Sequence, residues 1–269
     1  MTHPFAILGA QHPSTQLTPQ QIVARKYKVS TLRQLADIYT LKLGPNYLTA
    51  REYYAHEVYR PDLTQAEKHA FVGELGSTRL NAALQKPKAA SPPLAPLCSR
   101  DTLTQHPQVS TLTGSQTVSR LRLVTVWQGR CSRVLYALWT IPRDQTTPQT
   151  VPHSGGMIGE IDIGSGKVRS MRKGVGTDTQ WPTNHPRTGV HLMGAALPHW
   201  QSVLDTVRVA HNSQRAYALL GWDLAICPDG ARLIGGTANP HHGLYQFATA
   251  RGILNETFAP VFEEIKAAH

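Results

Sequence analysis

Gly221-Trp222-Asp223-Leu224-Ala225-Ile226-Cys227-Pro228-Asp229-Gly230, continuing through Ile234-Gly235-Gly236-Thr237-Ala238-Asn239-Pro240, is the stretch on which the fold turns. Tyr217 to Cys227 reads as one strand and Arg232 to Gly235 as its return. Pro228-Asp229-Gly230 is the tight turn between them, built from residue types that preset φ, bond their own backbone and accept positive φ. A carboxylate on a strand, followed by such a turn and a return ending in Gly-Gly-Thr-Ala-Asn-Pro, is not a generic core pattern.

Upstream, Arg120 to Trp127 alternates like a half-buried strand, and Val134 to Ile141 follows as its partner. Gly156 to Ile163 and Lys167 to Met171 flank Gly164-Ser165-Gly166, a hairpin signal. The same Gly-Ser-Gly-Lys is not a P-loop, since it lacks the first glycine, the Ser or Thr after lysine, and a following helix. Pro198 to Asn212 reads as an amphipathic helix, and Gly243 to His269 closes the chain as helix.

The first third reads helical. Pro19 to Lys28 is one helix. Ser30 to Leu43 is another, with Leu32, Leu35, Ala36, Ile38, Tyr39 and Leu43 at helical spacing, Ser30 as N-cap and Gly44-Pro45 as stop. Thr49 caps a third helix, and Thr64 to Leu84 is a fourth, with Glu67 completing a capping box. Lys86 to Ser99 is rich in Pro, Ala and Ser and reads as a linker. The expected organisation is α+β. A helical region over 1–85 and a Pro-rich linker over 86–101 precede a domain over 102–269 with a mixed or antiparallel sheet and flanking helices.

Composition narrows the function classes. The 269 residues carry 27 Lys plus Arg against 17 Asp plus Glu, a formal charge of +10, which excludes an acidic disordered tail or a charge-rich coiled coil. No apolar run approaches the roughly 20 residues of a transmembrane helix, and Met1 to Ala10 lacks the regions of a signal peptide. Cys98, Cys131 and Cys227 show no metal-ligand spacing, so a reducing, cytoplasmic setting is expected, with Cys131 and Cys227 as buried, inert thiols. The basic residues are spread. Their densest run, Lys167, Arg169, Arg172 and Lys173, reads as a solvated face, and no nucleic-acid-binding signature is present. Attraction to an anionic small molecule or a membrane surface is the remaining meaning of the charge.

A series of segments resembles the sugar-transfer associated ATP-grasp family. Gln105-His106-Pro107 is similar to its "QHP" segment, and Ser119-Arg120-Leu121-Arg122-Leu123-Val124-Thr125 to the strand that follows. Gly155-Gly156 through Gly164-Ser165-Gly166, His185-Pro186 with Thr188-Gly189, Leu197-Pro198-His199-Trp200, and Gly221-Trp222-Asp223 with Pro228-Asp229-Gly230 continue the series in order over 103–250. The resemblance implies a reduced ATP-grasp fold, and an enzyme that phosphorylates a carboxylate for attack by a nucleophile. It also implies Mg-ATP held by an Asp, a Glu and an Asn near the last strands, because transferred phosphoryl charge needs hard cations on oxygen ligands.

The chain departs from that pattern. Asp223 stands at the first metal carboxylate, but Gly235 occupies the Glu position and Thr237 the Asn position. No Gly-rich phosphate loop fits before Gln105, where Lys86 and Lys88 are the nearby lysines. The expected catalytic residues are Asp223 and Arg122, the latter a clamp for phosphate or carboxylate. Asn239, Thr237 and His106 are expected to bind substrate. Asp223 with His241 and His242 offers a two-His-one-carboxylate metal set, with His153, His185 and His191 as further candidates.

Three readings follow. One is a divergent biosynthetic enzyme of amide- or ester-ligase ancestry, acting on an acidic or acyl small molecule without ordinary Mg-ATP ligation. Another is a pseudoenzyme whose cleft binds a ligand or a protein partner from the same polysaccharide or small-molecule pathway. The third is a divalent-metal enzyme built on the histidines.

Overall fold

The computed structural model describes residues 17–85, 98–99, 102–143, 156–174 and 176–267. Most of the Pro-rich linker, with Lys86, Lys88, His153 and Gly155, lies outside them. Helix α1 spans Pro19–Tyr27 and opens on a capping box between Thr18 and Gln21. Helix α2 spans Thr31–Leu43, and the Ser30 hydroxyl accepts from the Arg33 N–H at 3.3 Å. Helix α3 spans Ala50–Ala55 behind a second box of Thr49 and Glu52.

Two expectations change in this region. The apolar spacing of α2 predicted an inward face of leucines, but Gln34, Asp37 and Leu41 are the buried residues. The reason is polar demand in the small core that α2 covers. The Tyr54 hydroxyl donates to Gln34 at 2.8 Å, and the Tyr53 hydroxyl to Asp37 at 3.2 Å. The Lys68 ammonium, itself buried, donates to Asp37 at 2.5 Å. Buried hydroxyls and charges need partners, so Leu32, Leu35 and Leu43 take the outer face while Leu41 stays buried. The second change is the expected helix Thr64 to Leu84, which divides into α4 (Gln65–His69) and α5 (Glu74–Leu84). Phe71 enters the N-terminal core and the adjacent Val72 enters the core under the sheet. An extended segment points neighbouring side chains in opposite directions, which a helix does not do.

Helix α6 (Pro107–Thr113) leads into the sheet. The strands are β1 (Arg120–Gln128), β2 (Cys131–Ile141), β3 (Met157–Ile161), β4 (Arg172–Lys173), β5 (Leu219–Cys227) and β6 (Gly230–Thr237). They form one six-stranded sheet in the order β4-β3-β2-β1-β5-β6, and every pair is antiparallel. The chain is therefore α+β, with nine helices among the described residues. The Gly164-Ser165-Gly166 turn closes as a hairpin turn, with Gly166 donating to the Asp162 carbonyl at 2.8 Å. Gly166 has φ +70, and a Cβ there would meet Trp200 at 2.5 Å, so the close approach requires glycine.

Alternation along the strands assigns the two faces. Leu121 and Leu123 of β1, with Leu220, Trp222 and Leu224 of β5, pack under helix α7 (Trp200–Asn212). Trp200 and Trp222 are core aromatics, as their positions suggested. A buried chain fixes one tautomer there. The Trp222 indole donates to Thr125 at 2.8 Å, Thr125 meets His211 Nδ1 at 2.7 Å, and His211 Nε2 meets the Tyr217 carbonyl at 3.0 Å. The carbonyl can only accept, so Nε2 carries the proton and Nδ1 accepts from the threonine.

The opposite face, with Val124, Val126 and Leu138, is covered by α5, α8 (Gly243–Thr249) and α9 (Ala259–Ala267). The single closing helix expected from Gly243 onward is thus two. Ala250 turns left-handed at φ 50, and the Asn255 side chain accepts from the N–H groups of Thr257 and Phe258. Arg172, expected on a solvated face, is fully buried, whereas Lys167 and Arg169 are exposed. Cys131 is exposed, against the expectation that it is buried, and Cys227 is buried.

The N-terminal helices are locked to the sheet layer by Gln246 of α8. Its Oε1 accepts from the Val72 N–H at 2.8 Å, and its Nε2 donates to the Val72 carbonyl at 2.7 Å. Gln246→Leu keeps the volume but orphans both Val72 backbone groups and the Ile253 N–H, which donates to the same Oε1 at 3.2 Å. The expected loss is about 3–5 kcal/mol, from three unsatisfied buried groups, measured as the urea midpoint shift at constant slope.

Candidate functional site

Strand β1 aims Arg122 away from the α7 face, and β5 places Asp223 directly opposite it in register. The two side chains join as a fork. Nε donates to Oδ1 at 2.6 Å and Nη2 to Oδ2 at 2.8 Å. Arg120 brings its Nε to 3.7 Å from Asp223 Oδ1. Burial works against the Arg122 charge, but the hydrogen bonds and charge of Asp223 outweigh it, and the guanidinium is held above its ordinary value. Asp223 sits at an irregularity. It pairs with Gly235, whereas Leu224 pairs with Leu233, so Ile234 is an extra residue in β6.

Arg122 lines a cleft of about 1120 Å³, and Asp223 is held behind it, outside the lining. Arg120 and Arg122 form its sheet side, His241 and Phe247 one wall, and Lys42, Thr49 and Arg51 part of the helical wall. Glu52 and Glu74 are its acids. Glu52 is committed: Oε2 accepts from the Thr49 N–H at 2.8 Å and Oε1 from the Glu74 N–H at 2.7 Å. His56 also lines the cleft, and its Nδ1 is buried with no hydrogen-bond partner. Burial first, then Arg172 and His241, push its pKa down to about 3, so it stays neutral.

The expected site residues divide by position. Arg122 and Asp223 are brought together, but with each other. His241 is exposed on the cleft. His242, its neighbour, points into the core and is fully buried. Its Nε2 meets Asn81 Oδ1 at 2.8 Å and its Nδ1 meets the Tyr136 hydroxyl at 3.0 Å. The amide oxygen only accepts, so Nε2 holds the proton and Nδ1 accepts from tyrosine. Burial pushes the His242 pKa down to about 3, with His241 adding to it. Asn239 is held by Asn81, whose Nδ2 donates to its Oδ1 at 2.6 Å, and Thr237 accepts from the Asn239 N–H at 3.1 Å. Neither lines the cleft. His106 lies elsewhere. It caps α6, its N–H reaches the Ile226 carbonyl at 2.9 Å, and its ring meets His199 edge-on at 5.1 Å.

The expected metal set is therefore not assembled. Both Asp223 oxygens face Arg122, and both His242 nitrogens are committed within the core. Among the described residues no group of three or more His, Cys, Asp or Glu is arranged to hold a metal ion. The magnesium implied by the resemblance fits no better. Gly235 has no side chain, and the Thr237 hydroxyl is a neutral ligand occupied by a backbone N–H. Sequence reasoning missed Lys42, Arg51, His56 and Glu74, because their helices reach the cleft only through tertiary packing.

A family model described as sugar-transfer associated ATP-grasp matches residues 96–260. No curated protein and no solved structure matches the chain. Among the described residues no helix is long and apolar enough to cross a membrane.

Two outcomes test this geometry. Asp223→Ala leaves a largely buried guanidinium without its partner and is expected to cost about 3 kcal/mol. Asp223→Ala combined with Arg122→Met is expected to recover most of that, which a double-mutant cycle by urea denaturation reads directly. His56 and His242 bind no proton when folded until about pH 3, and His185 and His211 are also lowered by burial. The unfolded chain protonates these near pH 6.5, so it binds more protons between pH 6.5 and about 3. Stability is full above that window and falls as acid is added through it. His242→Gln is expected to flatten the slope of unfolding free energy between pH 6 and pH 5 by about 1.4 kcal/mol per pH unit, one proton's worth.

Proposed function

Because the chain belongs to the sugar-transfer associated ATP-grasp family, which is matched over residues 96–260, we propose that it is a divergent biosynthetic protein of ligase or transferase type whose cleft takes an acidic or acyl small molecule without ordinary Mg-ATP ligation. The observation that carries this reading is the Arg122–Asp223 fork in a cationic cleft. In a ligase of this fold the strand carboxylate is a cation ligand. Here an arginine of the same protein neutralises it, and the cleft then presents Lys42, Arg51 and Arg120 to whatever enters. An anion gains from those charges, and guanidinium groups suit a carboxylate or phosphate geometrically. His241 and Glu74, at the start of α5, are further polar side chains that line the cleft beside those cations.

A second reading, binding without chemistry, is favoured by one specific observation: Glu52 on the cleft wall and Asp223 behind Arg122 both have their two carboxylate oxygens hydrogen-bonded within the protein. It predicts the same ligand preference with no turnover.

Calorimetry separates these from family-type ligation. Titration with Mg-ATP is expected to give no magnesium-dependent binding in the micromolar range. Di- and tricarboxylates and acyl phosphates are expected to bind without magnesium, more weakly as salt rises. Arg51→Ala is expected to weaken them about tenfold. Micromolar, magnesium-dependent ATP binding would overturn the reading.

A further inference from the structure

Helix α2 carries an apolar stripe on its outside. Leu32 is 80% exposed, Leu35 50%, Tyr39 69% and Leu43 65%. Steps of three and four residues put them on one helical face, opposite the buried Gln34, Asp37 and Leu41. Scattered exposed leucines are ordinary, but four large apolar side chains aligned on one helix are a patch. The charge nearby is positive. From α1 through α2 the cations are Arg25, Lys26, Lys28, Arg33 and Lys42, and the one acid, Asp37, is buried against Lys68, with the exposed Arg33 at 4.0 Å from its other oxygen. By helical spacing Lys42 and Arg33 flank the stripe on its two sides.

We propose that α2 is a docking helix for an anionic lipid surface, with Leu32, Leu35, Tyr39 and Leu43 entering the headgroup boundary and Arg33 and Lys42 reaching lipid phosphates. An apolar stripe edged by cations on an otherwise polar helix is the pattern that lies in a membrane interface, and each basic residue near such a surface adds attraction. The charge argues against a second copy of the chain, since a two-fold contact through the stripe would bring the flanking Arg33 and Lys42 of each copy together with no acid exposed on the helix to offset them. A row of exposed side chains on a helix whose backbone is bonded within itself suits a fluid surface that needs no shape match. Lys42 also lines the cleft, so docking on this face sets the cleft mouth next to the bilayer. This goes beyond the proposed function, because it requires nothing of the cleft's chemistry.

Cosedimentation of the full chain with vesicles tests it. Vesicles of phosphatidylcholine mixed with phosphatidylglycerol are expected to bind the protein, and vesicles of phosphatidylcholine alone to leave it in solution. Leu35→Ser with Tyr39→Ser, both on exposed positions, is expected to weaken binding at least about tenfold. Arg33→Glu with Lys42→Glu is expected to weaken it similarly and to remove the dependence on anionic lipid and on salt. Thermal melts that match the parent show that the variants remain folded. Absence of vesicle binding by the parent overturns the proposal, as does undiminished binding by folded variants of both kinds. If the parent instead forms a dimer, or captures an acidic protein, through a surface that Leu35→Ser with Tyr39→Ser abolishes, and ignores vesicles, the proposal also falls.

Discussion

A guanidinium with no exposure at all, that of Arg172, costs roughly several kcal/mol unless it is paired, and its two terminal nitrogens find partners while the buried Nε has none among the described residues. Its Nη2 lies 3.2 Å from Glu57 and donates to the Ala55 carbonyl at 3.2 Å, while Nη1 donates to the Phe247 carbonyl. The Phe247 ring stacks under the charge at 4.2 Å. Those partners come from the end of α3 and the loop after it and from α8, while Arg172 itself lies on the edge strand β4. One buried cation therefore gathers three parts of the chain that are remote in sequence, and burial pulls its pKa down to about 10 without discharging it near neutrality. The cleft exists because of that gathering. Ala55 and His56 end up on one wall and Phe247 on another, with Gln246 bonding Val72 on the other side of the same helix.

Once the helices are fixed over the sheet, the outcome at Asp223 follows from crowding of charge. Arg120 and Arg122 alternate with apolar residues along β1, so both point to the cleft face, and Asp223 is the acid on the strand beside them. A lone carboxylate between two arginines is a counter-ion before it is a metal ligand. At Gly235 an added Cβ would sit 3.8 Å from Asp223 Oδ2, ordinary contact distance. The backbone still has room for a side chain there, and it is the identity of residue 235 that withholds a second carboxylate.

The sheet was legible in the sequence because its signals are local. Alternation in Arg120 to Trp127 and the Pro-Asp-Gly turn at 228–230 name strands and hairpin without reference to the rest of the chain. The caps at Ser30, Thr49 and Thr64 were legible for the same reason. What stayed hidden was decided by partners far away. The inward face of α2 depends on hydroxyls of Tyr53 and Tyr54, and the break at Phe71 depends on two different cores. Arg172 looked like one more surface cation because nothing near it in sequence announces Glu57. The pairing of Arg122 with Asp223 could be read only as two interesting residues, since register between β1 and β5 is not written in either strand alone.

The same polar demand that shapes the N-terminal core also shapes its outside. A helix of thirteen residues can bury one face. Three polar clients, two tyrosines and Lys68, claim that face for Gln34 and Asp37, and the leucines are turned out by exclusion. Exposed apolar area on a helix already anchored by hydrogen bonds costs little fold stability, because the anchoring does not rely on it. It does cost solubility, and the net positive charge of α1 and α2, with Arg33 and Lys42 flanking the stripe, offsets that by repelling like surfaces. A face that is apolar at its centre, cationic at its edge and dispensable to the fold is thereby left able to serve contact with something anionic. That separates the helix's two tasks: its inner side holds the cleft wall in place, and its outer side is not needed for that.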